Sequence, residues 1–95
     1  MSERALLRLE QADRALASER LYAAREDFEA VLQEHPRHPG ALAGLAMVAY
    51  REGKLTEAKT RLEEVMALDA RYQKQYEPFH RILQEKVREA GSSSP

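Results

Sequence analysis

The chain has 95 residues, one third of them charged, and its 15 Lys and Arg nearly balance 16 Asp and Glu to give a net charge of −1. This balance provides no general attraction to nucleic acid or to an anionic membrane, so neither partner is expected. The absence of cysteine excludes disulfides, zinc–thiolate sites and cysteine nucleophiles, and it fits a cytoplasmic protein. No apolar run approaches the roughly 18 residues of a membrane span.

Turn signals divide the chain into five segments that are predicted to be helices. Apolar residues recur at spacings of three and four and never alternate strictly, so no strand is predicted. The segments lie at about 3–17, 20–34, 38–52, 55–68, and from 72 or later to 90. The sequence HPRHPG separates the second segment from the third, and Gly53 supplies the left-handed residue that ends the third.

The fifth segment contains a proline, Pro78. Because proline is tolerated only in the first turn of an unkinked helix, this helix is expected to start near Gln75. Its apolar residues form one stripe, Phe79, Ile82, Leu83 and Val87. Such a stripe predicts a helix covered on one side only. The closing residues GSSSP, 91–95, are expected to be a disordered tail.

An offset of 34 residues aligns the chain with itself. In the second and fourth segments it pairs Leu21 with Leu55, Ala24 with Ala58, Phe28 with Leu62, and Val31 with Val65. In the first and third segments it pairs Ala12 with Ala46 and Ala15 with Ala49, and a further step pairs Leu45 with Phe79. The repeating unit is therefore a pair of helices.

At these residues the chain resembles the tetratricopeptide repeat family, whose unit is a 34-residue helix–turn–helix. The second unit carries most of the motif: Leu42, Leu45, Ala46, Gly53, Leu55, Ala58, Leu62, Val65 and Met66. The first unit matches through its second helix and Pro36, but Arg8 and Gln11 stand at positions that are usually apolar. The resemblance implies an all-α solenoid of about five helices. The solenoid is expected to be one domain over 1–90, with repeats at about 5–38 and 39–72 and a capping helix at about 73–90.

Residues 40–50, GALAGLAMVAY, carry no charge and many small side chains. Ala46, Ala49 and Ala58 are small enough to let the helices of a pair approach closely. Gly40, Ala43, Met47 and Tyr50 lie on a different stripe of the same helix. The family resemblance implies that this second stripe lines a concave groove in which ligands bind. The matching stripes are Leu6, Leu9, Asp13 and Leu16 on the first helix, and Lys74, Glu77, Arg81 and Gln84 on the fifth.

The groove predicts a non-catalytic adaptor that binds a helix or peptide of another protein. Its candidate residues are Leu9, Asp13, Leu16, Gly40, Ala43, Met47 and Tyr50, with Arg51 and Arg81 at the rim for acidic flanks of the ligand. Many family members clamp a peptide carboxylate with Lys and Asn, but the corresponding places here hold Leu9, Asp13, Ala43 and Met47. A carboxylate clamp is therefore not expected. In a competing arrangement the first and fifth helices tilt inward and bury the stripe as ordinary core.

A second hypothesis is that the chain associates with itself. Repeat proteins usually need about three or more units for stability, whereas this chain has two and a capping helix. The first helix has nothing packed before it and presents Leu6, Leu7 and Leu9. A second copy could cover these leucines in a homodimer or a larger assembly.

Neither an enzyme nor a cofactor site is expected. His35 and His38 lie in a proline-flanked turn with only Glu34 near them, which is poor support for a metal site. The chain has no glycine-rich loop after a strand and no supported Ser–His pair. Basic residues of the fifth segment alternate with Glu77, Glu85 and Glu89, which argues against nucleic-acid binding.

Overall fold

The computed structural model describes residues 2–92, and within them the only regular elements are five α-helices. They are α1 (Glu3–Ala17), α2 (Leu21–Glu34), α3 (Pro39–Arg51), α4 (Leu55–Met66) and α5 (Ala70–Ser92). Each helix packs against the next one along the chain, and α1 also contacts α3. The predicted all-α repeat array is confirmed.

The turn between the two helices of a unit has the same geometry in both units. The N–H groups of Arg20 and Lys54 donate to the carbonyls of Ala15 and Ala49, each over 2.8 Å, which is the six-to-one bond of a Schellman motif. The left-handed residue before each donor is Gly53 in the second unit, with φ 80°, as predicted from the sequence. In the first unit it is Glu19, with φ 61°. A backbone conformation that favours glycine is therefore adopted by a glutamate in the first unit.

Side-chain caps fix the start of three helices. The Ala5 N–H donates to the Ser2 hydroxyl over 3.1 Å at α1, and the Ala41 N–H donates to Nδ1 of His38 over 3.1 Å at α3. At α5 the Arg71 N–H donates to Oδ1 of Asp69 over 2.8 Å. Each cap satisfies an N–H group that has no partner within its own helix.

The start of α5 differs from the sequence prediction. The helix begins at Ala70 rather than near Gln75, so Pro78 lies inside it. The Asp69 cap fixes the earlier start, and Tyr72 and Tyr76, which precede the proline, pack against the protein core. Pro78 itself is exposed, so the loss of its N–H donor occurs on the solvent side of the helix.

The other end of α5 reaches Ser92, two residues into the expected tail. The rest of that tail, residues 93–95, lies outside the described residues.

Two hydrophobic clusters form the core, and α3 contributes to both. The first cluster comprises Ala12, Ala15, Ala24, Phe28, Val31, Ala41, Leu45 and Val48. The second comprises Leu42, Ala46, Ala49, Ala58, Leu62, Val65 and Leu83. Seven of the 13 residues of α3 are buried, because this helix lies between the first unit and the rest of the molecule. Its lack of charge follows from contacts on several sides.

An ion-pair network joins the two units. Arg25 on α2 bonds both oxygens of Glu57 on α4, over 2.6 and 3.1 Å, and also bonds Glu52 at the end of α3. These carboxylates raise the pKa of Arg25 further above its ordinary value, Glu57 contributing most. The guanidinium in turn lowers the pKa of Glu52. The network orients α2 relative to the turn between α3 and α4.

A tight contact between the two units places the ring of Phe28 on Gly44. A Cβ added at Gly44 would lie 2.3 Å from Cζ and 2.4 Å from Cε1 of Phe28, well inside contact distance. Phe28 has no exposed surface, so its ring cannot turn out to solvent without losing its burial. Only glycine at position 44 accommodates this ring without a shift of α2 away from α3.

We expect Gly44→Ala to lower the free energy of unfolding by about 1–3 kcal/mol, because the added methyl group overpacks the contact with Phe28. Chemical denaturation followed by circular dichroism measures this change. Gly91→Ala is the matched control, because nothing lies within 4 Å of a Cβ at that position. The control should leave stability unchanged or raise it slightly, since alanine favours helix over glycine. A Gly44→Ala protein as stable as the wild type would contradict this account of the Phe28 contact.

Candidate functional site

The candidate groove residues of α1 and α3 occupy neighbouring positions in the structure. Leu9 and Leu16 of α1 are half-buried and pack against the first core cluster. Gly40 of α3 is exposed, and its Cβ position lies 3.9 Å from Cδ1 of Leu9. Ala43, Met47 and Tyr50 continue along α3 and are also half-buried. Together the two helices form an apolar strip, which we call the groove floor; its residues are Leu9, Leu16, Gly40, Ala43, Met47 and Tyr50.

The groove floor is only partly covered by the rest of the chain. Leu6, which lies three residues before Leu9 on α1, keeps 50% of its surface exposed. At the other end, the ring of Tyr50 meets Phe79 of α5 edge to face, with ring centroids 5.4 Å apart. An open depression of about 660 Å³ follows, lined by Tyr50, Leu55, Lys86, Glu89 and Ala90. The groove floor therefore ends at Tyr50 beside α5, and the exposed Leu6 borders it near Leu9.

Arg51, expected at the rim, bonds the end of α1. Its Nη1 donates to the Leu16 carbonyl over 2.9 Å and to Oε1 of Glu19 over 2.7 Å. The Leu16 carbonyl, in the last turn of α1, also accepts the Glu19 N–H over 3.1 Å, so Arg51 adds a second donor at the end of that helix. The same ion pair holds Glu19, the residue with the left-handed backbone conformation.

Arg81, the second rim candidate, bonds Glu77 one turn earlier over 2.7 Å. It is highly exposed and lines a surface depression together with Lys59 of α4. The side of α5 that meets α3 carries Phe79 instead. The structure thus places Arg81 beside α4, whereas Tyr50 contacts a different side of α5.

The orientation of α5 corrects one sequence prediction. Leu83 is fully buried, but Ile82 keeps 48% of its surface exposed, so the prediction that Ile82 belongs to the covered stripe is wrong. On the covered side Leu83 is buried, and Tyr72, Tyr76, Phe79 and Val87 are partly buried. α5 packs along α4 and turns Phe79 and Leu83 toward side chains of α3 and α4, which buries more apolar surface than Ile82 does.

Asp13, the one acidic residue among the predicted groove residues, borders the α1 side of the groove floor. It lies one turn after Leu9, is exposed, and forms no ion pair with another residue of the described chain. Glu3 and Glu10 are also exposed, but they point about 100–120° away from Leu9 around the helix. Their spacing of four from Leu7 and Arg14 places them on the face that carries those two residues.

The histidines take part in local structure. His38 is the cap of α3, and its pKa is lowered by partial burial and by the nearby His35. Nε2 of His80 lies 2.9 Å from Oε2 of Glu63. Within residues 2–92 no group of three or more His, Asp or Glu side chains is arranged to hold a metal ion. None of the described helices combines the length and the apolar character that crossing a bilayer requires.

A sequence model of the tetratricopeptide repeat matches residues 15–78. The matched range contains α2, α3 and α4 and extends into α5. No curated protein and no solved structure shows significant similarity to the chain.

We expect stability to fall as the pH is lowered from 7.5 to 5.5, in part because of His38. Its folded pKa lies below the ordinary value of 6.5, so the unfolded state binds the proton more readily. The contribution is thus complete above pH 6.5 and is lost as the pH falls toward the folded pKa. Protonation also removes the Nδ1 acceptor of the helix cap, and such a cap is worth about 1 kcal/mol.

His38→Asn tests this expectation, because asparagine caps helices but does not titrate in this range. Thermal melts of the two proteins between pH 7.5 and 5.5 should show a smaller decline for the variant. Parallel declines would mean that His38 does not contribute to the pH dependence.

Proposed function

The chain belongs to the tetratricopeptide repeat family, whose members generally mediate protein–protein interactions, and we propose that it is a non-catalytic adaptor that binds a helix or peptide segment of a partner protein in its apolar groove. The partial exposure of the groove floor is the observation that supports this proposal most directly. Leu9, Leu16, Ala43, Met47 and Tyr50 are half-buried along two adjacent helices, with the exposed Leu6 beside them. A contiguous apolar strip of this kind is typical of an interaction surface.

Binding would draw its free energy from burial of this strip. Apolar surface contributes about 25 cal/mol per Å² removed from water, less the cost of ordering the bound segment. Lys and Asn are missing from the floor, and the guanidinium of Arg51 is already bonded to Glu19 and to the Leu16 carbonyl. Recognition would therefore rest on side-chain contacts along the segment, without a clamp on a terminal carboxylate.

The cysteine-free composition keeps the cytoplasm as the predicted location of this interaction.

Ala43→Glu should abolish partner binding, because it places a carboxylate in the middle of the apolar floor without disturbing a fully buried residue. The measurement is affinity capture followed by mass spectrometry, with a thermal melt to show that folding is unchanged. Tyr22→Glu is the control, since Tyr22 is an apolar surface residue on α2 with 74% exposure. Proteins retained by wild type and Tyr22→Glu but lost by Ala43→Glu would support the groove. Equal retention by all three would exclude it.

Self-association is the second candidate, and the exposure of two leucines favours it. Leu6 and Leu7 keep 50% and 54% of their surface exposed on the first helix. The structure separates them from Leu9, the third leucine predicted to take part, which packs against the first core cluster. Since consecutive residues point about 100° apart around a helix, Leu6 borders the groove floor, whereas Leu7 points away from it. Leu7 therefore distinguishes self-association from groove binding.

If the chain dimerises through these leucines, Leu6→Glu with Leu7→Glu should give a monomer whose melting temperature no longer depends on protein concentration. Light scattering coupled to size exclusion measures the mass, which for the wild type would be twice 10.9 kDa. Leu7→Glu alone should weaken the dimer but spare capture of a groove partner. A wild-type protein that stays monomeric up to millimolar concentration, with a concentration-independent melt, would remove this candidate.

A further inference from the structure

We propose that Arg51 is a positioning residue of the groove. By bonding Glu19 and the Leu16 carbonyl, it fixes the spacing between α1 and α3 at the Tyr50 end of the groove floor, and it does not contact the bound segment. This inference rests on the proposed function. It gives Arg51 a role different from the one expected from the sequence, which was a rim contact for acidic flanks of the ligand. Two independent observations support it, the bonds of Arg51 and the backbone conformation of Glu19.

The bonds of Arg51 join the two helices that form the groove floor. Arg51 is the last residue of α3, and its Nη1 donates to the Leu16 carbonyl on α1 and to Oε1 of Glu19, in the turn after α1. Within residues 2–92 the bond to the Leu16 carbonyl is the only hydrogen bond between α1 and α3. Near the start of α3 the approach of the two helices is apolar, between Leu9 and Gly40. Directional bonds therefore fix the spacing of α1 and α3 only at the Arg51 end.

The backbone conformation of Glu19 is unfavourable for a glutamate. Its φ of 61° lies in the left-handed region, which glycine adopts freely and a residue with a Cβ adopts at a cost. The equivalent turn of the second unit, 34 residues later, has Gly53 with φ 80°. Glycine would therefore suit the first turn better than glutamate does. The carboxylate of Glu19 bonds Arg51, and this pair gives a reason for a glutamate at the position.

The pair lies where the spacing of the helices affects the groove floor. Leu16 belongs to the floor and supplies the carbonyl that Arg51 bonds, and Tyr50, another floor residue, directly precedes Arg51. A bond at these two places holds both side chains at one separation before a segment binds, which lowers the cost of ordering them on binding. Because the Glu19 side chain is 67% exposed, the pair adds little to the stability of the fold. Its effect is expected mainly in the affinity of the groove.

Glu19→Gly separates positioning from direct contact with the ligand. The variant removes the ion pair and also the cost of a left-handed glutamate, so its melting temperature should equal or exceed that of the wild type. Affinity for a groove-binding peptide should nevertheless fall about two- to fivefold, the loss expected for one exposed ion pair. If Arg51 instead contacted acidic residues of the ligand, Glu19→Gly would release the guanidinium and raise the affinity.

The probe is a peptide selected on the intact chain from a random displayed library, one that binds wild type but not Ala43→Glu. Arg51→Gln should weaken its binding at least as much as Glu19→Gly does, and the double variant should be no weaker than Arg51→Gln alone. Arg61→Gln is the matched control, because its exposed ion pair with Glu64 lies within α4, and it should leave affinity unchanged. Unchanged or raised affinity of Glu19→Gly would overturn the inference while leaving the proposed function intact. If no selected peptide depends on Ala43, the proposed function fails, and this inference fails with it.

A distance measurement tests the positioning role without a ligand. The chain has no cysteine, so spin labels can be attached at Ser18→Cys, at the end of α1, and at Lys54→Cys, whose N–H bonds the Ala49 carbonyl of α3. Dipolar electron paramagnetic resonance should show a broader distribution of distances between the labels when Arg51→Gln is added. Adding Arg61→Gln instead should leave the distribution unchanged. The same distribution in all three proteins would overturn the inference, whatever the peptides show.

Discussion

The contact between Phe28 and Gly44 sets the relation between the two units. The aromatic ring occupies the space that any side chain at position 44 would need, so α2 lies close against α3. This approach places α3 between both core clusters. Since α1 is the helical partner of α2, its position beside α3 depends on the same contact. The groove floor, which consists of α1 and α3 side chains, therefore depends in part on how one phenylalanine meets one glycine.

Polar interactions fix the orientation that the hydrophobic contacts allow. Arg25 joins α2 to Glu52 and Glu57 in the second unit, and Arg51 joins the end of α3 to the end of α1. Both arginines bond groups more than 25 residues away in the sequence. The core consists largely of alanine, valine and leucine, whose nondirectional contacts constrain the angles between helices only loosely. The directional hydrogen bonds of the two arginines constrain these angles further. The C-terminal ends of the two helices that carry the groove are thus fixed to their neighbours.

The proposed activity rests on the apolar floor. Ala43 and Met47 lie at its centre and would supply affinity by burial. Arg51, at the end of the same helix, is bonded to Glu19 and to the Leu16 carbonyl, so its charge is used within the protein. An ion pair that stabilises the scaffold thus removes a positive charge from the surface that a ligand meets.

The sequence by itself determined the features that depend on local spacing. Periods of three and four predicted helices, the offset of 34 residues predicted paired units, and Gly53 predicted a left-handed turn, all of which the structure contains. The match to the tetratricopeptide repeat over 15–78 confirms the family resemblance. These features were accessible because residues close along the chain specify them.

Only the tertiary structure decided features that depend on residues distant in sequence. The proline rule placed the start of α5 too late, because packing of Tyr72 and Tyr76 and the Asp69 cap outweigh the cost of Pro78. Repeat spacing alone does not show which side of an end helix is covered, so Ile82 was assigned to the wrong side. The partners of Arg51 and the need for glycine at position 44 likewise follow from contacts between helices, which no local pattern specifies.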